Sequence, residues 1–306
     1  MLKQKKANLA CRARILRAVR TYFEQQGYLE VETPVRMRAP LPERHIDAIG
    51  TEGLYLATSP EPHMKRMLSV EFPKIFQITK CFRAGESGRK HHPEFSMLEW
   101  YRVGAECADL VGELRQLIKA VTEAAGNGPT IRYGECTVQT DSEWEILTID
   151  EAYRRYAGIE LGENPDEYEF DRIMVEQIEP QLGLERPAIV YQYPAVFSPM
   201  ARPNRERPSR AERLELYIAG LELANGCAEN TDYEAQTKAL REEQEARREL
   251  GKEEYPWPSA FAESLAEMPE SGGVALGIDR LAMLMCNAQT IAEVISFAEE
   301  QSAQGR

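Results

Sequence analysis

The apolar positions of the chain alternate between helical spacing and a period of two. Residues 8–26 place Leu9, Ile15, Leu16, Val19, Tyr22 and Phe23 near helical spacing, with Arg and Glu between them, and Gly27 ends that helix. YLEVETP then suits a strand through Tyr28, Leu29, Val31 and Thr33, stopped by Pro34. LYLAT (54–58) predicts a short strand, after which Ser59 is placed to cap a helix holding Pro60 and Glu61 in its first turn. The clearest pattern covers residues 76–101: two alternating runs separated by a short, highly charged loop predict a strand, a loop and a returning strand. On the first run Phe76, Ile78 and Phe82 share one face, and Gln77, Thr79, Cys81 and Arg83 the other. On the second, Phe95, Met97, Glu99 and Tyr101 share a face, so a carboxylate and a phenol stand two residues apart on a rigid element.

Farther on, residues 109–125 predict an amphipathic helix closed by NGP at 127–129. Residues 130–186 hold the strand-like TIRYGECTV and helices near 149–156 and 170–178, with no visible chemistry. AIVYQYPA (188–195) reads as a buried strand, and the Arg- and Pro-rich residues 199–213 as a loop without a packed-core pattern. In RLELYIAGLELANGCAENTD a hairpin around Gly220 brings Glu215 and Glu222 near each other. Residues 234–251 predict a charged, mostly solvated helix, and SGGVALGIDRLAMLMCN a glycine-rich strand running into an apolar helix at Asp279. With no repeat or low-complexity linker, the reading is one domain over 1–306 with an inserted helical subregion at about 105–186.

Composition narrows the function classes. A hydrophobic content of 43% supports a real core, and no apolar run reaches the length of a bilayer span. The N-terminus lacks the apolar stretch of a secretory signal, so a cytoplasmic, membrane-independent protein is expected. Six cysteines without CxxC pairs argue against a disulfide framework or a structural zinc site. A net charge of -13 argues against a nucleic-acid grip, and the basic stretches 3–20 and 202–213 read as solvated faces. An acidic surface still draws in a basic partner.

Candidate chemistry lies on the ends of the predicted elements. Arg83 ends a strand, and Arg280 near a helix start after glycines offers a forked cation to phosphate. The Glu215/Glu222 pair suits magnesium, whose ligands are oxygens, if it is not two solvated edge residues. Glu61 has an ordinary meaning as a first-turn carboxylate facing the helix dipole. In order along the chain, the helix with GYLEVETP, then FR, a loop and HHPEF, then GVALGIDR resemble the three signature motifs of class II aminoacyl-tRNA synthetases. That resemblance implies an α+β fold, a mostly antiparallel sheet flanked by helices, and a homodimer formed through the first motif.

Within the class, TSPE, HMKR, HPEFSMLEWY, ELANG and GIDRL resemble lysyl-tRNA synthetase through nearly the whole chain. The sequence starts about one helix before the first motif, so the anticodon-binding domain of those enzymes is not expected. Together with FRAGESGR, and with Ala275 where they typically carry glycine, this shifts the resemblance to their truncated paralogs that attach (R)-β-lysine to elongation factor P. The resemblance implies ATP-dependent formation of an aminoacyl-adenylate, then transfer to a lysine of that acceptor, with no tRNA.

By the same resemblance Arg83 contacts the α-phosphate, Arg280 grips the far phosphates, and Glu86, His91 and Phe95 belong to the ATP site. Glu215 and Glu222 would hold Mg2+. Ser59, Glu61, Glu99, Tyr101, Asn225, Glu229 and Ala275 would form the amino-acid site, the Ala275 methyl disfavouring α-lysine. Three positions depart from the pattern. Gly85 stands where a glutamate is usual two residues after the arginine, Cys227 replaces a Phe after ANG, and His92 an Asn. Adenine contacts and isomer choice are thereby left open, as are two other functions: a stand-alone lysine-activating enzyme or minimal lysyl-tRNA synthetase, and a non-catalytic binding module.

Overall fold

Helix α1 (Leu2–Gln25) buries Ile15, Val19, Tyr22 and Phe23 of the expected stripe, together with Cys11, while Leu9 and Leu16 are half-buried. Phe23 stacks on Phe76 at 4.7 Å and tilts against Trp100 at 5.2 Å, so α1 is fixed to the sheet by aromatic packing. The computed structural model describes residues 2–298, and the outermost residues of the expected 1–306 domain lie outside them. Among the described residues no helix is long and apolar enough to cross a membrane.

The sheet has eight strands: β1 (Leu29–Glu30), β2 (Lys74–Phe82), β3 (Glu94–Val103), β4 (Glu145–Thr148), β5 (Ala188–Tyr191), β6 (Arg213–Ile218), β7 (Leu221–Ala228) and β8 (Ser271–Gly277). Their order is β1-β2-β3-β8-β7-β6-β5-β4. The outermost pairs at both edges, β1 with β2 and β4 with β5, are parallel, and all pairs between are antiparallel.

The two faces of the sheet have different tasks. Phe76, Leu98, Trp100, Val274, Leu276, Leu214 and Leu216 point into one core with α1, α3 (Cys107–Ala125) and α8 (Ile278–Cys286). Each such side chain contributes roughly 1.5–3 kcal/mol of burial. The alternate residues form the other face. One row crosses six strands in register, Gln77, Glu99, Ala275, Asn225, Glu215 and Val190. The next row runs Ile75, Tyr101, Gly273, Cys227 and Arg213.

Residues 105–186 divide between two bodies. Helix α3 joins the main core, and a two-stranded hairpin (Thr130–Tyr133 with Cys136–Gln139) follows it. Strand β4, α4 (Ile149–Ala152) and α5 (Glu167–Ile173) build a second core with β5 around Tyr153, Phe170 and Tyr193. A third core sits under the site, where α2 (Glu61–Leu68), α6 (Tyr233–Glu249) and α7 (Ser259–Ser264) contribute Met64, Leu68, Leu240 and Phe261 beside Ile75 and Tyr101.

Several local expectations need correction. Ser59 does not cap α2: the preceding position is taken by Pro60 and no side chain caps the helix, while Ser59 itself is buried. Residues 199–213 are not a loose loop. Arg210 is fully buried, doubly paired to Asp150 and bonded to the Gly162 carbonyl, which ties this segment to the second core. The basic stretches are likewise not wholly solvated, since Arg12 reaches Asp279 at 2.5 Å inside the protein. The charged helix α6 contains buried Arg247, which donates to the Glu43 and Ile46 carbonyls and to Asp47.

Candidate active site

The polar face of the sheet floors a cavity of about 530 Å³. Its far wall is the segment around Leu41 to Ile46, held down by Arg247 and by Arg44, whose Nε donates to Glu243 at 2.8 Å. Every candidate site residue except Glu215 lines this cavity.

At one end stand the two motif arginines. Arg83, just beyond the end of β2, lies over the Phe95 ring at 5.1 Å, because Phe95 opposes Cys81 across the hairpin. Glu86 sits 3.6 Å from Arg83. Between them Gly85 has φ of +78°, a left-handed turn that a glutamate would adopt only with strain, and the acid that faces the arginine is the next residue, Glu86. Arg280, in the first turn of α8, donates to the Glu222 carbonyl at 2.9 Å and its carboxylate at 3.1 Å, and meets Nε2 of His91 at 2.5 Å. Burial, then the Arg280 charge, lowers the His91 pKa, so the neutral ring accepts a hydrogen bond from the guanidinium. His92 lies behind, its ring bonded to the Glu94 carbonyl at 2.7 Å.

Arg280 is braced from below. The buried Asp279 carboxylate accepts from the Ser96 amide at 2.6 Å and pairs with Arg12 of α1, whose other nitrogen donates to the Ser96 hydroxyl at 2.9 Å. The predicted first, second and third motifs therefore meet at one charge cluster.

At the other end four acidic side chains converge. Glu99 is buried at the centre of the sheet and accepts from Tyr101 at 2.9 Å. Burial and the nearby Glu61 raise its pKa to about 8. Glu229, just beyond β7, is raised to about 7, chiefly by burial. Glu43, from the far wall, is raised to about 7 for the same leading reason, against the pull of Arg83. Glu61 opens α2 and pairs with Lys65 one turn on. The Tyr101 ring crosses the place where a side chain at position 273 would stand: a Cβ there would lie 2.2 Å from the ring, so only glycine fits. Asn225 and Ala275 lie in the row between Glu99 and Glu215.

Glu215 lies behind the cavity wall. Its carboxylate accepts from Tyr193 at 2.6 Å, Tyr217 at 2.5 Å, Arg213 at 2.6 Å and Asn225 at 3.2 Å. Glu222 reaches the same face through a β-bulge, because a register shift after Leu216 pairs Tyr217 with Glu222 and leaves Leu223 extra. Burial and Glu215 raise the Glu222 pKa. Among the described residues no three His, Cys, Asp or Glu side chains form a metal cluster.

Four functional candidates escaped the sequence reading. Lys65 sat in a quoted motif without a role, although its spacing from Glu61 is the signal of a helical pair. Arg213 alternates with buried leucines in RLELYI, a pattern that places it beside Glu215. Glu179, raised to about 7 by burial and by Glu222 and Glu215, comes from residues 130–186, where the sequence shows no chemistry, and Glu43 from a mixed stretch in which prolines mark loops. No local pattern marks these last two.

This sheet order and the paired arginines above a carboxylate-lined pocket define a catalytic domain of the class II synthetase type. The family model of class II tRNA synthetases (D, K and N) matches residues 1–301, and the chain belongs to that family. Its curated relatives include the elongation factor P–(R)-β-lysine ligase of Erwinia tasmaniensis, 37% identical over 96% of each chain. The enzymes of that name from Enterobacter sp. and Pectobacterium atrosepticum are each 36% identical, covering 96% and 97% of this chain and 96% of their own.

Proposed function

We propose that this chain is an ATP-dependent ligase that activates (R)-β-lysine and transfers it to a lysine side chain of elongation factor P. The observation that carries the reading is a single cavity with two arginines at one end and Glu61, Glu99 and Glu229 at the other, lined between by Ala275. An amino acid with two ammonium groups matches the acidic end, and its carboxylate then points toward Arg83. In the first step that carboxylate attacks the α-phosphorus of ATP, the bond to pyrophosphate breaks, and an aminoacyl-adenylate forms. In the second the acceptor amine attacks the carbonyl, AMP leaves, and the amine proton is lost to solvent. The protein's part is alignment and charge stabilisation.

Arg83 serves the α-phosphate, with Phe95 under the adenine. Arg280, oriented by His91 and Glu222, serves the outer phosphates. Mg2+, which would offset charge between phosphates, fits Glu222: its pKa is raised beside Glu215, and its contact with Arg280 engages only one carboxylate oxygen. Glu215 would hold it as second ligand, on oxygens that now accept from tyrosine, arginine and asparagine. The enzyme acts in the cytoplasm as a homodimer joined through the first motif, without tRNA or membrane. Exposed Leu29, Val35, Val70 and Phe72 around the β1 edge support that interface.

The test is pyrophosphate exchange resolved by lysine isomer, followed by labelling of elongation factor P. Faster exchange with (R)-β-lysine and label on the factor are expected. Preference for α-lysine with charging of tRNA-Lys would replace this reading with that of a minimal synthetase.

A further inference from the structure

Behind the acidic end of the cavity, two of its lining carboxylates already share one cation. Nζ of Lys65 lies 2.6 Å from Glu61 and 2.7 Å from Glu229, and 6.0 Å from the centre of the Tyr101 ring. The side chains of Lys65 and Glu229 are each only 3% exposed. An ammonium so buried persists only when paired, and here it is paired twice, once within α2 and once across to the end of β7. Burial disfavours its charge, but the Glu229 and Glu61 carboxylates outweigh that and keep it protonated.

The arrangement has a consequence for charge matching. Glu43, Glu61, Glu99 and Glu229 bring four acidic charges when ionised; Lys65 cancels one, and the Arg83 charge, which acts on Glu43 from across the cavity, offsets another. Two remain, the number that an amino acid with two ammonium groups supplies. Both Lys65 partners are themselves cavity-lining carboxylates, so its ammonium also fixes how far apart they stand.

We propose that Lys65 is a specificity-determining positioning residue: a resident ammonium that holds Glu61 and Glu229 in place and sets the charge of the pocket to match a diammonium amino acid. The role rests on the lysine-type substrate assigned above. It differs from a purely structural clamp between α2 and β7, because it predicts that a free ammonium ion in the vacated space restores substrate recognition and that a neutral molecule of the same size does not.

The experiment removes the side chain beyond Cβ in the full chain, Lys65→Ala, and supplies n-propylammonium, which has the missing atoms. The KM for (R)-β-lysine should rise about tenfold or more, with that for ATP changing less than about twofold. Propylammonium should recover most of the loss and n-propanol none. Propylammonium should also raise the unfolding midpoint of the unliganded variant and leave wild type unchanged. This second readout needs no turnover, so if wild type activates no lysine isomer, the substrate reading fails while the role of Lys65 in holding the two carboxylates is still measured. Lys65→Arg and Lys65→Met serve if the alanine variant does not fold, with the arginine variant expected to keep the lower amino-acid KM. An unchanged amino-acid KM, a parallel rise for ATP, or equal rescue by propanol would overturn the proposal.

Discussion

The guanidinium of Arg280 meets Nε2 of His91 at 2.5 Å, so a neutral imidazole is the acceptor that aims the third-motif arginine. Arg280→Ala should lower pyrophosphate exchange by about 100-fold or more while leaving a cooperative unfolding transition. The His91 pKa is lowered in the folded state, so its stabilising contribution is present above about 6.5 and is lost as pH falls through the folded value. His91→Gln should remove that acid-side loss and raise the KM for ATP. Near-normal exchange by the Arg280 variant would refute the phosphate assignment.

Glu99 and Glu229 titrate the other way. With folded pKa values of about 8 and about 7, both raised, their contribution to apo stability is full below about 4.5 and lost as pH rises through 7 to 8. Substrate ammonium groups favour the ionised acids, so binding should release protons near neutrality and tighten from about pH 6 to about 8.5. Calorimetry in buffers of different ionisation enthalpy checks this, and Glu99→Gln should reduce the release. Binding without proton release would contradict it.

Ala275 stands between Glu99 and Asn225 in the sheet row. Ala275→Gly should shift the ratio of kcat/KM values toward α-lysine by about tenfold, the scale of one methyl group in a pocket. An unchanged ratio removes the methyl as a selectivity element.

Arg12 compensates an Asp279 carboxylate that is only 2% exposed. Arg12→Leu should cost about 3 kcal/mol in denaturant unfolding, because an uncompensated charge is left inside. A loss below about 1 kcal/mol would show that the pair is not needed for stability.

Chelation of divalent ions should stop exchange, and added Mg2+ restore it. Glu222→Gln should raise the Mg2+ concentration for half-maximal rate by about tenfold. Equal Mg2+ dependence in the variant and wild type would move the ion elsewhere.

Legibility in the sequence followed the range of the forces. Alternation alone put Glu99 and Tyr101 on the face opposite Leu98 and Trp100, and the structure keeps them there. The hairpin around Gly220 was also readable, but the bulge that turns Glu222 toward Glu215 was not, because it depends on pairing with a neighbouring strand. Arg210 looked solvated since its partner Asp150 is sixty residues away. Glu43 lies on irregular backbone, and tertiary contacts, those of Arg247 and of Arg44 with Glu243, hold that segment over the cavity.

The glycine beneath Tyr101 limits how this pocket can change over evolutionary time. Of the β8 residues on the cavity side, position 273 is closed to any side chain by the tyrosine ring, and a Cβ at 277, in ordinary contact at 3.8 Å, would lie against Arg280 at the phosphate end. Position 275 stands between them, in the row with Glu99 and Asn225. A lineage exchanging one lysine isomer for another therefore has a narrow path along this strand, a single methyl gained or lost, with the phosphate machinery undisturbed.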